Sequence, residues 1–426
     1  MADLSCTIAG VKSPNPFWLA SAPPTDKKYN VVRAFRAGWG GVVWKTLGEM
    51  PPVVNVSSRY GGVDINGQRM MGFNNIELIS DRPLDVNLRE ITEVKKEWPD
   101  RALFVSLMVP CNEQSWKDIL KKVEKTNADG VELNFGCPHG MSERGMGSAV
   151  GQVPEYVEMV TRWCKANTRM PVMVKLTPNI SDVRLPARGA KAGGADAIAL
   201  INTINSIVSV DLDQMAPNPV VGGKGTHGGY CGPAVKPIAL NMVAEICRDP
   251  ATAGIPISGI GGVSTWRDAA EFIALGSSSV QVCTAVMHYG FRIVSDLADG
   301  LSRWMDHKGY RSLEDFRGAA IKNVTNWNEL DLNFKTLAKI EQEGCIQCGL
   351  CHIACEDTSH QAVSLERTST AVKYDIIEKE CVGCNLCALV CPTHCISMVP
   401  QKSELPYLPW TRHPNNPSFI SGQGKT

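Results

Sequence analysis

Sixteen cysteines are spread unevenly: nine fall between Cys345 and Cys395, and seven are scattered over the first 344 residues. Within the dense stretch one spacing occurs twice. Cys345, Cys348, Cys351 and Cys355 form the first run; Cys381, Cys384, Cys387 and Cys391, followed by Pro392, form the second. Thiolates this close in sequence reach separate irons of one cube, and in two-cluster proteins the fourth cysteine of each run ligates the other cluster. The spacing therefore predicts one [4Fe–4S] cluster on Cys345, Cys348, Cys351 and Cys391. It predicts a second on Cys381, Cys384, Cys387 and Cys355. Zinc sites group their cysteines in pairs instead. Glu356 stands where the second run has Pro392, and Cys395 is a spare thiol.

The rest of the chain offers a different chemistry. Lys45 and Lys175 end otherwise apolar runs, which is costly unless each faces an anion or a polar ligand. Gly259-Ile260-Gly261-Gly262, then Val263-Ser264-Thr265 and a helical stretch, reads as a phosphate cradle. Glycine lets backbone N–H groups approach an anion, and a helix N-terminus adds its dipole. No GxGxxG follows a strand with an acidic residue about 20 positions on, so a dinucleotide fingerprint is absent. Clusters pass single electrons while most organic redox steps need two. A flavin does both, and a single phosphate site fits FMN.

The elements that position these groups alternate. Apolar runs at Phe17–Ala20, Gly41–Lys45, Leu103–Ser106, Gly130–Asn134, Pro171–Lys175, Ala197–Ile201, Ile255–Gly259 and Ser279–Val282 are separated by helical stretches. Among these are Trp116–Thr126, Pro154–Ala166, Pro237–Cys247 and Arg267–Leu275. The fold class is α/β, a (β/α)8 TIM barrel, with an open doubly wound sheet as the alternative. Barrel active sites lie at the C-terminal strand ends. Ser21, Lys45-Thr46, Asn134, Lys175, Asn202-Thr203, Gly259–Gly262 and Cys283-Thr284 collect there. Met50–Asn74 is too long for an ordinary strand–helix loop. The expected organisation is a barrel over 1–332, a linker over 333–344, a small α+β two-cluster bacterial-ferredoxin-like domain over 345–400 and a tail over 401–426.

Composition excludes several classes. Of 426 residues, 44% are hydrophobic, enough for a sizeable core; Lys+Arg and Asp+Glu are 43 each, which argues against a nucleic-acid partner. No apolar run approaches the ~18 residues of a membrane span. Met1–Gly10 shows no secretory signal, so a cytoplasmic, reducing setting is expected.

The stretch Asn134-Phe-Gly-Cys137-Pro-His-Gly-Met141-Ser-Glu-Arg-Gly-Met-Gly147 resembles the active-site loop of dihydropyrimidine dehydrogenases. Asn75-Ile-Glu-Leu-Ile-Ser80, Lys175-Leu-Thr-Pro-Asn179 and Asn202-Thr203 resemble other motifs of that family. The resemblance covers residues 1–400, and the barrel followed by two clusters resembles its bacterial NAD-dependent members. Dihydroorotate dehydrogenases share the barrel and the FMN but not the appended clusters. Two departures stand out. Gly136 replaces a common serine, removing a hydroxyl beside Cys137. Cys231-Gly232 replaces Ser-Gly, leaving Gly232 as the phosphate contact.

The resemblance implies reversible reduction of uracil or thymine across the 5,6 bond, hydride coming from FMN and a proton from Cys137. A thiol of pKa ~8.5 is a competent acid near neutral pH, and His139 is the competing acid. Gly140, Gly145 and Gly147 give the loop the freedom of a lid. Asn75, Asn134, Asn202 and Thr203 would read the alternating donors and acceptors of the ring edge. Ala20, Ser21, Lys45, Lys175, Gly232, Gly261, Gly262, Cys283 and Thr284 would hold the FMN. With no nicotinamide site in the chain, NAD(H) would act through an FAD- and NAD-binding partner subunit in a two-plus-two heterotetramer. Two other readings remain open: a dihydroorotate oxidase with a fused electron acceptor, and a non-catalytic electron-transfer module.

Overall fold

A computed structural model describes residues 2–65, 69–358, 360–369, 372–403 and 405–417. They divide into two compact units, Met1–Val324 and Thr325–Thr426. In the first, eight parallel strands close into a barrel: β1 (Phe17–Leu19), β2 (Gly41–Leu47), β3 (Ala102–Leu107), β4 (Gly130–Asn134), β5 (Val172–Lys175), β6 (Ala197–Leu200), β7 (Ile257–Ile260) and β8 (Ser279–Val282). The strands follow sequence order, and β8 pairs with β1, which excludes the open sheet. The intervening helices are α1 (Lys28–Ala37), α2 (Leu84–Glu97), α3 (Glu113–Glu124), α4 (Pro154–Asn167), α5 (Arg184–Ala192), α6 (Lys236–Arg248), α7 (Trp266–Ala274) and α8 (Ile293–Lys308).

Strand alternation sorts the side chains. On β3, Leu103, Val105 and Leu107 join the large cluster that includes the helices, whereas Ala102 and Phe104 join Trp18, Val43, Met173 and Ala199 in a second cluster. Toward the C-terminal ends this second set gives way to the polar Lys45, Asn134 and Lys175. The barrel is thus closed by apolar packing below and polar at the mouth. α3 begins at Glu113, before the expected Trp116, because the Asn112 side chain accepts from Ser115 N–H at 3.2 Å and caps it. Its stripe Trp116, Ile119, Leu120 and Val123 is buried.

The long insertion after β2 is not a loop. Tyr60–Ile65 and Arg69–Asn75 form a hairpin that pairs antiparallel with Gly228–Cys231, which pairs in turn with Ile204–Ser206. Gly72 makes this sheet possible: a Cβ there would stand 1.6 Å from the Tyr230 hydroxyl.

In the second unit β9 (Lys335–Ile340) pairs with β12 (Ile396–Gln401), and β10 (Val363–Arg367) pairs with β11 (Val372–Ile376). α9 (Leu350–Glu356) and α10 (Leu386–Leu389) carry cysteines of the two runs. The segment expected to be a linker over 333–344 therefore contributes β9. Its Ala338 and Ile340 belong to the core with Val363, Tyr374 and Ile396. The expected tail is also tied down. Leu332 N–H donates to Leu408 O at 3.0 Å, and Asn333 Nδ2 donates to Pro406 O at 2.6 Å. Residues 418–426 of that tail lie outside the described residues. Among the described residues no helix is long and apolar enough to cross a membrane.

Candidate active site and cluster cavities

One cavity opens at the C-terminal end of the barrel, and the residues expected to act on the substrate or hold the FMN line it, whereas Gly136, Gly140, Gly145, Gly147 and Gly259 do not. Ala20 and Ser21 follow β1, Lys45 lies in β2, and Asn75 comes from the insertion. Asn134 ends β4 and Cys137 follows it; Lys175 ends β5; Asn202 and Thr203 follow β6. Gly232, Gly261, Gly262, Cys283 and Thr284 line the same cavity.

The asparagines form a wired group. Asn134 Nδ2 donates to Thr46 Oγ1 at 3.0 Å, and its Oδ1 accepts from Asn202 Nδ2 at 2.9 Å. Asn202 Oδ1 accepts from Thr203 N–H at 2.8 Å. Thr46 Oγ1 also lies 3.0 Å from both Ser21 Oγ and Ser106 Oγ. Asn75 is fixed differently, donating to Gly229 O at 2.9 Å and accepting from Glu77 N–H at 3.2 Å. The amides are thus held in fixed orientations before any ligand arrives.

The Cys137 thiol donates to His139 O at 3.5 Å. Burial pushes its pKa up to about 11, so the group is protonated at neutral pH. Burial also pushes the His139 pKa below its ordinary value, which keeps the imidazole neutral. His139 Nε2 lies 2.8 Å from Glu77 O. A carbonyl only accepts, so the proton sits on Nε2, and Nδ1 is a lone-pair acceptor. Nδ1 is buried and has no partner.

Both lysines face carboxylates. Lys45 Nζ is 3.3 Å from Glu77 Oε2, and Glu77 Oε1 accepts from Arg59 at 3.3 Å and from the Tyr60 hydroxyl at 2.8 Å. Lys175 Nζ lies 3.8 Å from Glu132 Oε1. Glu77 and Glu132 were missed in the sequence reading. Glu77 lies inside the quoted motif around Asn75, and Glu132 is the inward residue two before Asn134 on β4.

The phosphate cradle needs a correction. Ser264 and Thr265 N–H donate to Asp268 Oδ2 at 2.9 and 2.8 Å, so the N-terminus of α7 is already capped by its own carboxylate. The dipole expected from that helix is therefore spent on Asp268. Gly261 and Gly262, with φ of 133° and 73°, remain in backbone conformations that favour glycine. Opposite them, Thr284 Oγ1 donates to Cys231 Sγ at 3.2 Å, and the Cys231 thiol donates to Phe73 O at 3.1 Å. Glycine turns, a hydroxyl, two buried lysines and the unpartnered buried atoms His139 Nδ1 and Gln281 Oε1 form a donor and acceptor set that suits a polar, phosphate-bearing ring cofactor.

In the second unit the cysteines line two separate cavities. Cys355, Cys381, Cys384 and Cys387 line one; Cys345, Cys348, Cys351 and Cys391 line the other. The fourth thiol of each run has crossed to the other side. Ala362 N–H donates to Cys355 Sγ at 3.2 Å, a contact that suits a thiolate. Among the described residues no three such side chains converge on a single metal ion. The thiols spread around each cavity suit a cluster. Cys395, read above as a spare, lies on the second of these cavities with its Sγ 3.5 Å from that of Cys391.

A polar barrel mouth and a unit with two thiol-lined cavities suit an oxidoreductase with iron–sulfur clusters. Residues 3–305 match the dihydroorotate dehydrogenase family, which implies a flavin, and residues 338–398 match the 4Fe-4S dicluster domain, which implies iron–sulfur clusters. The chain belongs to the dihydropyrimidine dehydrogenase group of this family. It is 43% identical to the NAD-dependent dihydropyrimidine dehydrogenase subunit PreA of Escherichia coli K12 over 93% of this chain and 95% of that one. It is 43% identical to the chloroplastic dihydropyrimidine dehydrogenase (NADP(+)) of Arabidopsis thaliana over 77% of this chain and 79% of that one. The catalytic subunit of dihydroorotate dehydrogenase B (NAD(+)) from Pyrococcus abyssi is 35% identical over 75% of this chain and 99% of its own length. A solved dihydroorotate dehydrogenase from Eimeria tenella, crystallised with ferulenol, shares the fold with a TM-score of 0.61 at 19% identity, over 74% of this chain and 88% of that one.

Proposed function

We propose that this chain is the pyrimidine-reducing subunit of a cytoplasmic NAD-dependent dihydropyrimidine dehydrogenase, converting uracil or thymine reversibly to the 5,6-dihydro form. The observation that carries this reading is the protonated Cys137 thiol on the cavity that the fixed Asn134–Asn202 pair also lines. Asn75, Asn134, Asn202 and Thr203 bind the ring edge, whose donors and acceptors alternate. Cys137 Sγ gives its proton to one carbon of the 5,6 bond as hydride arrives at the other. His139 is unsuited to that step, since its one N–H is committed to Glu77 O and its free nitrogen is an acceptor. Bound FMN would supply the hydride and exchange single electrons with the clusters.

Ala20, Ser21, Lys45, Lys175, Gly232, Gly261, Gly262, Cys283 and Thr284 would hold the FMN. Two [4Fe–4S] clusters would be held by Cys345, Cys348, Cys351 and Cys391, and by Cys381, Cys384, Cys387 and Cys355. Electrons would enter from NADH through an FAD- and NAD-binding partner in a two-plus-two assembly. The dihydroorotate reading is weaker. An orotate carboxylate needs a cation to spare, and both cavity lysines already face Glu77 and Glu132. Anaerobic turnover with an artificial one-electron donor tests the choice: uracil should be reduced and orotate left untouched. The opposite selectivity would overturn the proposal.

A further inference from the structure

Glu132 lies inside the barrel with no exposed surface. Its Oε1 has no hydrogen-bond partner. The nearest donor to Oε2 is Gln281 Nε2 at 3.4 Å. Gln281 Nε2 also donates to Ser258 Oγ at 3.2 Å, and the opposite end of that amide, Oε1, is unpartnered. The neighbouring inward positions on β5 and β6 are Met173 and Ala199, so packing alone does not ask for a carboxylate here. A buried carboxylate is costly unless a cation compensates it. The cation in reach is Lys175, at 3.8 Å. That separation is an ion pair but too long for a hydrogen bond.

Glu132 does not line the cavity; Lys175 and Gln281 do. A ligand in the cavity would therefore meet Lys175 directly and feel Glu132 only through it. Lys45 differs, because its partner Glu77 lines the cavity and is shared with Arg59 and Tyr60. Lys175 is thus left between a hidden carboxylate and whatever fills the cavity.

We propose that Glu132 is a positioning residue that limits, through Lys175, how much positive charge the barrel presents to a bound flavin. The inference rests on the flavin reading above. With Glu132 ionised, the pair is neutral, and Lys175 stabilises added negative charge on the ring only in part. Remove the carboxylate charge and the ammonium acts in full.

Sulfite binding to the oxidised flavoprotein tests this without turnover. The sulfite adduct of a flavin carries negative charge, so its dissociation constant reads the charge beside the ring. Glu132→Gln keeps the shape and should bind sulfite on the order of tenfold more tightly. Lys175→Met should bind it more weakly, and the double variant should match Lys175→Met. Glu132→Asp keeps the charge and should restore most of the wild-type value. An unchanged sulfite constant in a flavin-loaded Glu132→Gln protein would overturn the inference, as would an equal effect in the Lys175→Met background. A purely structural role would lower flavin occupancy or melting temperature without moving the constant. Wild-type protein that binds no flavin would defeat both this inference and the functional reading; bound flavin without a shift defeats this inference alone. A second measurement is independent of Glu132→Gln: an unchanged sulfite constant in a flavin-loaded Lys175→Met protein would also overturn the inference.

Discussion

The side chain of Asn202 lies directly against Gly136: a Cβ on Gly136 would stand 2.3 Å from Asn202 Cβ and 2.6 Å from its Nδ2. Asn202 uses that room to donate to Asn134 Oδ1, which also accepts from Gly136 N–H at 3.2 Å. The serine that resembling loops carry at this position has no space here unless Asn202 moves.

Gly136→Ser should therefore displace Asn202 and break its bond to Asn134. Overpacking of this kind costs about 1–3 kcal/mol. If the asparagine pair reads the substrate, KM for uracil should rise roughly tenfold. Flavin and iron contents should stay unchanged, since neither the glycine turns nor the cluster cysteines are touched. Steady-state kinetics and cofactor analysis check this, and an unchanged KM would remove Asn202 from the substrate contacts.

Cys137→Ala should retain flavin and iron and lose uracil reduction by about 10²–10⁴-fold, the usual weight of a general acid. The pH dependence has a definite sign. Reduction needs the protonated thiol, and burial holds the Cys137 pKa at about 11. Turnover limited by this group should stay level through neutral pH and fall as pH rises toward that value. His139→Ala should spare the proton step and disturb the hold on Glu77 O. A larger loss in His139→Ala than in Cys137→Ala would reverse the two roles.

Much of this was legible in the chain. The strand-end residues found one cavity because a parallel barrel leaves its C-terminal ends free of packing, and polar residues survive there at low cost. The crossed cysteine sets were legible because the spacing is set by the size of a cube. Glu132 was not, since one acidic residue within a short apolar run carries no periodic signal. The insertion hairpin was hidden for a related reason: Tyr60–Ile65 and Arg69–Asn75 are exposed in part and rich in glycine, so strand alternation is weak. The cap of Asp268 on α7 was not foreseen, because a capping box and a helix-end anion site draw on the same N–H groups, those of Ser264 and Thr265 here. The supposed linker was missed because β9 pairs with β12, about 60 residues away, and local sequence does not report long-range pairing.

Iron analysis separates the cluster thiols from Cys395. The purified chain should hold about eight irons and one FMN. Cys384→Ala should lose up to half the iron, because Cys384 lines one of the two thiol cavities. Cys395→Ala should keep all of it, since Cys345, Cys348, Cys351 and Cys391 remain on the other cavity. Iron lost from Cys395→Ala to the same extent would make Cys395 a ligand. Zinc in place of iron would overturn the assignment of both cavities.

The last prediction concerns where electrons enter. Among the described residues the glycine clusters do not form a dinucleotide fold. Gly61-Gly62 and Gly228-Gly229 lie in the antiparallel sheet, and Gly222-Gly223 form a turn closed by the Val221 and Lys224 backbone. None of these three pairs stands between a parallel strand and the helix that follows it, the setting in which backbone N–H groups meet a pyrophosphate; Gly261-Gly262, which do, lack the GxGxxG pattern. Iron–sulfur clusters take one electron at a time and accept no hydride. NADH delivers a hydride, so on the function proposed above a second flavin on another chain would split the pair before the clusters receive it. Under anaerobic conditions the single pure chain, given NADH and uracil, should oxidise no NADH. An artificial one-electron donor in place of NADH should restore uracil reduction. Adding an FAD- and NAD-binding partner should make the reaction NADH-dependent again. Sustained NADH oxidation by the isolated chain would refute the two-subunit reading and place a nicotinamide site within these 426 residues.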